Sequence, residues 1–327
     1  MKKLFDLAPD LNMIDIGSSG MMDARWRPLS EKINLIGFDP NEAECERMNA
    51  LPTDLSSALY LPYAIGGESG ESTLYKTESI YCYSLLKPNY SWLNRFGYAH
   101  LFAAKGEETI GVRTLDSLSE IREREIDAIK TDTQGLELPI LSQAEQQVKQ
   151  ACAIETETGF MENYHGETTY AQIDEFMRDH HFLMFTMKSY PTVRKTNREL
   201  PRGNVAQPLW CEAVWLKDYP KLLSAGETFS EEKILKAMLL SSLFRAYDFG
   251  YEVAEVAHKK GILSDQIYQA AQNPNFWVIT GTEPEEVPEP KKNLAVNLLL
   301  RLLPASARKH LSEQAQIAFT EKHLLKG

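Results

Sequence analysis

Through the first two thirds of the chain, short apolar runs alternate with stretches of helical periodicity. Runs over 13–16 and 34–38 predict the first two strands; each leads into a turn with an acid beside it, Asp15 and Asp39. The pattern over 41–51 predicts a helix, with Asn41 as its cap after Pro40. A third strand is expected over 60–65, closed by Gly66 and Gly67, and short extended pieces over 72–75 and 109–112. A charged helix should cover 117–125, and a fourth main strand 126–132, with Gly135 in the turn after it. A helix over 136–149 and a fifth strand over 151–156 follow. Ile173, Phe176 and Met177 lie on one face of an amphipathic helix over 168–180. Runs over 181–187 and 209–216 read as an antiparallel pair. This order predicts an α/β protein with a Rossmann-like doubly wound sheet, mostly parallel with an antiparallel edge pair and covered on both faces.

A different pattern begins near Pro220, where helices are expected over 231–247, 251–260 and 265–272. A Pro/Glu linker occupies 283–290, and an apolar helix over 293–303 carries one polar stripe of Asn293, Asn297 and Arg301. The expected division is a ligand-binding domain over 1–220, a helical extension over 221–282, a linker over 283–292 and a basic amphipathic tail over 293–327. Net charge is −11, yet residues 291–327 carry seven Lys/Arg and two Asp/Glu, a balance of +5 that leaves −16 for residues 1–290. So acidic a body argues against a nucleic-acid partner. The tail could instead pack on a second copy, giving a homodimer, or lie on an anionic membrane surface. Cys45, Cys82, Cys152 and Cys211 are widely spread with no C-x-x-C pair, and Cys152 and Cys211 sit in apolar runs as core residues. With no signal-like N-terminus and no run near membrane-spanning length, a reducing, cytoplasmic setting is expected.

The most informative segment is Asp15-x-Gly17-x-x-Gly20, followed by Asp39 at the end of the second strand. A strand, a glycine-bearing turn and a second strand ending in an acid open a βαβ unit that binds a nucleoside. A dinucleotide site would need a third glycine where Met21 and Met22 stand, and no Gly-Lys-Ser/Thr loop occurs. An acid two residues before the first glycine suits a ligand with a cationic pole, as S-adenosylmethionine has. On this reading Asp15, Gly17, Ser18, Ser19 and Gly20 meet the methionyl part, Asp39 and Pro40 the ribose, and Ala64 and Ile65 the adenine.

The fourth strand and its turn contain Lys130-x-Asp132-x-x-Gly135-x-Glu137, preceded by Thr114-Leu115-Asp116. With Arg25-Trp26, Gly37 to Asn41, Ala64 to Gly66, Ile154 to Glu157 and Tyr164 to Gly166 in order, this resembles the FkbM family of S-adenosylmethionine-dependent methyltransferases over residues 11–217. The resemblance implies O-methylation of a sugar, glycolipid, polysaccharide or natural-product hydroxyl. A hydroxyl is a poor nucleophile near neutral pH, so a base or a metal is required. Asp132 ends its strand at the ligand crevice and is the candidate acceptor-orienting carboxylate. Lys130, a further candidate catalytic residue, shares its face and needs a partner, for which Asp132 or Glu155 is available. Glu137, in the first turn of a helix, favours the helix dipole whatever else it does. His165, in the loop after the fifth strand, is the candidate general base. Asp132, Glu155 and Glu157 could together hold a divalent cation such as Mg2+. Tyr81, Tyr83, Tyr90, Trp92, Phe96 and Tyr98 could form a lid over a sugar ring or a local core. The competing reading is a non-catalytic nucleoside-binding scaffold that uses its helical tail to bind a partner.

Overall fold

The computed structural model describes residues 3–18, 20, 22–196 and 198–279. The expected linker, the basic tail and Ser19 lie outside these residues.

Ten strands form two sheets: β1 (Leu11–Ile16), β2 (Ile33–Phe38), β3 (Ser57–Leu61), β4 (Ala64–Ile65), β5 (Gly70–Thr77), β6 (Ala104–Arg113), β7 (Ala128–Thr131), β8 (Ala153–Gly159), β9 (Phe182–Thr192) and β10 (Gln207–Lys217). Seven of them make the main sheet in the order β3-β2-β1-β7-β8-β10-β9. The first five of these run parallel, and β10 is antiparallel to both β8 and β9. This is a Rossmann-like doubly wound arrangement with an antiparallel edge pair. The strand order reverses between β1 and β7, the place where open α/β sheets leave a crevice for ligands.

Local chemistry accounts for the elements. Asn41 accepts from the Glu44 amide and caps helix Glu42–Ala50. Thr169 and Gln172 form a capping box for helix Tyr170–Asp179, which buries Ile173 and Met177. The run over 60–65 is two strands rather than one. Pro62 has no amide hydrogen to continue a ladder, and Ala64–Ile65 pairs with β6 in a small sheet ordered β4-β6-β5. The helix expected over 136–149 is two, Glu137–Ser142 and Glu145–Gln150, bent so that Ile140, Leu141, Ala144 and Val148 all reach one core. The charged segment over 117–125 keeps only the short helix Ser119–Arg122.

Helices Glu231–Leu243, Tyr247–Lys259 and Asp265–Ala271 cover one face of the sheet. Ile234, Met238, Val253 and Trp277 share a single core with Leu11, Met13, Leu35 and Val214 from the strands. Asp127, fully buried, accepts from Lys233 at 2.9 Å, Lys236 at 2.7 Å and the Asn12 amide at 3.0 Å. This paired buried charge ties the helices to the sheet. All four cysteines are buried and free. Among the described residues, no helix is long and apolar enough to cross a membrane.

Candidate functional site

At the reversal of strand order, the turn after β1 presses against the end of β7. The Asp132 amide donates to the Ile16 carbonyl at 2.9 Å, and the Gly17 and Ser18 amides donate to the Phe38 carbonyl at 2.9 Å. Gly17 has φ +82°, and a Cβ there would stand 2.0 Å from the Asp132 carbonyl oxygen. Only glycine allows this approach.

A cavity of about 760 Å3 opens at this point, lined by Gly17, Asp39, Pro40, Ala64, Ile65 and Asp132 together with Tyr63, Tyr81, Tyr83 and Gln134. Asp39 Oδ1 accepts from the Asn41 amide at 2.7 Å, and Oδ2 has no protein donor among the described residues. Burial pushes the Asp39 carboxyl up, with Glu44 and Asp15 adding to the rise against the Asn41 amide. Six of the expected ligand positions therefore meet on one cavity. Four others do not line it, Gly20 among them. Asp15 (4 % exposed) and Ser18 (6 %) are buried beneath the turn, and His165 stands on an exposed loop, lining no cavity described here.

Lys130 is paired with Asp15, not with Asp132 or Glu155: Nζ reaches Asp15 Oδ1 at 3.2 Å. The register sets Lys130 between Asp15 on β1 and Glu155 on β8, and Glu155 is already taken by Trp26 and Arg25. Burial alone would favour the neutral amine, but Asp15, Asp132 and Glu155 raise it and keep it charged.

Glu155 is held elsewhere. Trp26 Nε1 donates to it at 2.6 Å, and Arg25 pairs with it and, at 2.9 Å, with Glu212. Burial lifts the Glu155 carboxyl to about 7 against Arg25, while the same carboxylate raises the guanidinium. Two donors on its oxygens fit the ionised form. With Glu155 so engaged, the expected trio with Asp132 and Glu157 does not assemble. Among the described residues no group of three His, Cys, Asp or Glu could hold a metal ion.

Asp132 and Glu157 are instead joined by Gln134, whose Nε2 donates to Asp132 Oδ1 at 2.8 Å and to Glu157 Oε1 at 3.2 Å. Tyr164 Oη lies 3.0 Å from both Gln134 Oε1 and the Cys82 carbonyl oxygen, two acceptors for its one proton. Gln134 has φ +58°, a costly backbone for a non-glycine residue and one that needs a network to hold it. Burial raises both carboxyls; Lys130 opposes the rise at Asp132, while Asp132 and Glu212 add to it at Glu157. Sequence reasoning missed Gln134; its only signal was its place between Asp132 and Gly135. Glu137, nearly fully buried, folds back on the same turn. It accepts from the Thr133 amide at 2.9 Å, Thr133 Oγ1 at 2.9 Å and the Gly135 amide at 3.1 Å. The turn that presents Asp132 and Gln134 is thus latched by its own helix.

The aromatic segment is mostly core: Phe102, Tyr164 and Leu93 form a third cluster with Tyr90, Trp92 and Tyr98 around it. Tyr81 and Tyr83 are the members that face the large cavity.

The sequence model of the methyltransferase FkbM domain matches residues 20–184. The chain belongs to the FkbM methyltransferase family. As a family member it is an S-adenosylmethionine-dependent methyltransferase. Its similarity to solved structures is slight. The magnesium protoporphyrin IX methyltransferase of Synechocystis with bound cofactor is 9% identical, with 64% of this chain and 71% of that chain covered and a TM-score of 0.34. A TehB-like methyltransferase of Corynebacterium glutamicum is 12% identical (66% and 85% covered, TM-score 0.29). An S-adenosylmethionine-dependent methyltransferase of Anabaena variabilis is 15% identical (65% and 80% covered, TM-score 0.28). No curated protein matches the chain in sequence.

Proposed function

We propose that this FkbM methyltransferase transfers a methyl group to a hydroxyl of a sugar, glycolipid, polysaccharide or natural product. The observation that carries the reading is the convergence of Gly17, Asp39, Ala64, Ile65 and Asp132 on one cavity of about 760 Å3 at the sheet's reversal point. That volume lies in the range of about 300–1,000 Å3 typical of small-molecule sites.

When bound, the cofactor supplies a methyl carbon on a cationic sulfur. Asp39, with a free carboxylate oxygen, would take the ribose hydroxyls, and Ala64 and Ile65 would flank the adenine. The chain's remaining work is to orient the acceptor, exclude water and accept one proton. That proton passes from the acceptor hydroxyl to a carboxylate oxygen of Asp132, which lines the cavity beside the cofactor residues. His165 is assigned no such role, because its exposed loop lines neither the large cavity nor the aromatic pocket beside it. The carboxylates are engaged by Arg25, Trp26 and Gln134, and no step is assigned to a divalent cation.

Calorimetric titration with S-adenosylhomocysteine tests the site. Micromolar binding is expected, lost in Asp39→Ala and retained within about threefold in His165→Ala, on the grounds that exposed positions away from a site change little. Equal binding by Asp39→Ala would refute the cofactor's placement.

A further inference from the structure

Gln134 lines not one cavity but two. Behind it, sharing Tyr81 and Gln134 with the large cavity, is a pocket of about 50 Å3 walled by Tyr98, Phe102, Trp210 and Glu157. We propose that this pocket seats the hydroxyl-bearing arm of an uncharged acceptor, and that the Tyr98 hydroxyl is its recognition group. The inference rests on the methyltransferase reading of the neighbouring cavity.

Three observations support it. The first is an orphan. Tyr98 Oη is buried and has no hydrogen-bond partner among the described residues. Buried hydroxyls are nearly always paired, because leaving one unpaired costs about 1–3 kcal/mol. The ring is not free to swing away. It stacks on Phe96 (5.7 Å between centroids, 12° between planes) and meets Trp210 edge-on (5.8 Å, 79°). Tyr98 thus lines the pocket with a ring held in place and a hydroxyl left unpaired.

Size is the second. About 50 Å3 is a third of the roughly 150 Å3 cavity that takes up a benzene ring. A hydroxymethyl arm fits; a whole ring does not, and would remain in the larger cavity.

Charge is the third. No Lys, Arg or His lines the pocket, while Glu157 and Glu167 do. A phosphorylated or carboxylated arm would find no counter-charge and two acids. Burial holds both acids towards their neutral forms, Glu167 at about 8, so an ammonium arm gains no anion either. Hydrogen-bonding amide and carboxyl groups between aromatic walls suit a neutral hydroxyl. Seated there, that hydroxyl lies beside the Gln134 amide, which is held on Asp132 at the edge of the large cavity.

The test is saturation-transfer NMR on the full chain loaded with S-adenosylhomocysteine. The probes are methyl glucopyranoside, its 6-phosphate and its 6-amino-6-deoxy analogue. The neutral glycoside should bind and the two charged analogues should not. Tyr98→Phe should weaken the glycoside about tenfold, with S-adenosylhomocysteine affinity unchanged and thermal stability equal or higher, since only an unpaired hydroxyl is lost. A merely structural Tyr98 would leave glycoside affinity untouched, and that result overturns the proposal. So does silence from the neutral glycoside with S-adenosylhomocysteine bound, or equal binding of either charged analogue. Failure of S-adenosylhomocysteine itself to bind overturns the cofactor site as well, and is read separately from the same samples.

Discussion

Lys130 invites the reading of a catalytic base, but its position opposite Asp15 makes it a counter-ion, and Lys130→Met separates the two roles. Asp15 is 4 % exposed, and the 3.2 Å contact with Lys130 is its ion pair. Removing the lysine strands a carboxylate in the sheet, which costs about 3–5 kcal/mol, against about 0–1 kcal/mol for an exposed pair. At about 2–4 °C per kcal/mol for a chain of this size, Tm should fall by roughly 10 °C. The companion Asp15→Asn/Lys130→Met removes both charges and should recover most of the loss, leaving a coupling energy of about 2 kcal/mol or more. Thermal and urea unfolding followed by circular dichroism measure both. A single variant less than about 1 kcal/mol below the parent, or a double variant that merely adds two losses, would refute the counter-ion argument. A catalytic lysine, by contrast, would abolish transfer while leaving the unfolding curve in place.

Gly17→Ala should damage both fold and cofactor site, because the new Cβ falls 2.0 Å from the Asp132 carbonyl oxygen at φ +82°. Gly166→Ala is its control: φ is +81° but nothing lies within 4 Å, so only the conformational cost of about 1 kcal/mol applies and S-adenosylhomocysteine binding should persist. Equal effects of the two would contradict the close approach. Stability should also depend on pH through Glu167, whose carboxyl burial lifts from 4.5 to about 8. Above 4.5 the unfolded chain has released a proton that the folded chain keeps, so stability is fully present below that value and declines as pH rises towards about 8. Glu167→Gln should flatten Tm measured across this window; an unchanged slope would assign the dependence to other groups.

The elements fixed by local chemistry were legible in the sequence. The Asn41 cap, the first two strands and the antiparallel pair at the sheet edge follow from side-chain alternation and capping residues, and the structure has them. What depends on cross-strand register was not legible. Lys130 was expected beside Asp132 or Glu155, and only the alignment of β7 against β1 brings it to Asp15. The run ending at Ile65 looked continuous, yet Pro62 divides it between two sheets. Glu155 and Glu157 share a strand face as alternation requires, but Trp26 and Arg25, more than a hundred residues earlier, draw one of them away. Gln134 belongs to no periodic pattern, and its importance comes from a backbone angle and three partners that only the folded turn supplies.

The placement of β1 in the middle of the sheet has a consequence for how the chain is made. Its neighbour β7 begins over a hundred residues later, and the helices that seal the face behind it end only near residue 276. On the ribosome, the first strand therefore emerges with one flank open and waits while its partner is synthesised at about 5–20 residues per second. During those seconds Leu11, Met13 and Leu35 have no cover, and Asp127, once made, has neither of its lysines until the segment after residue 230 appears. The cofactor turn can close only once β7 and Asp132 have been made, so nascent chains of this enzyme are predicted to be clients of chaperones that hold exposed apolar strands.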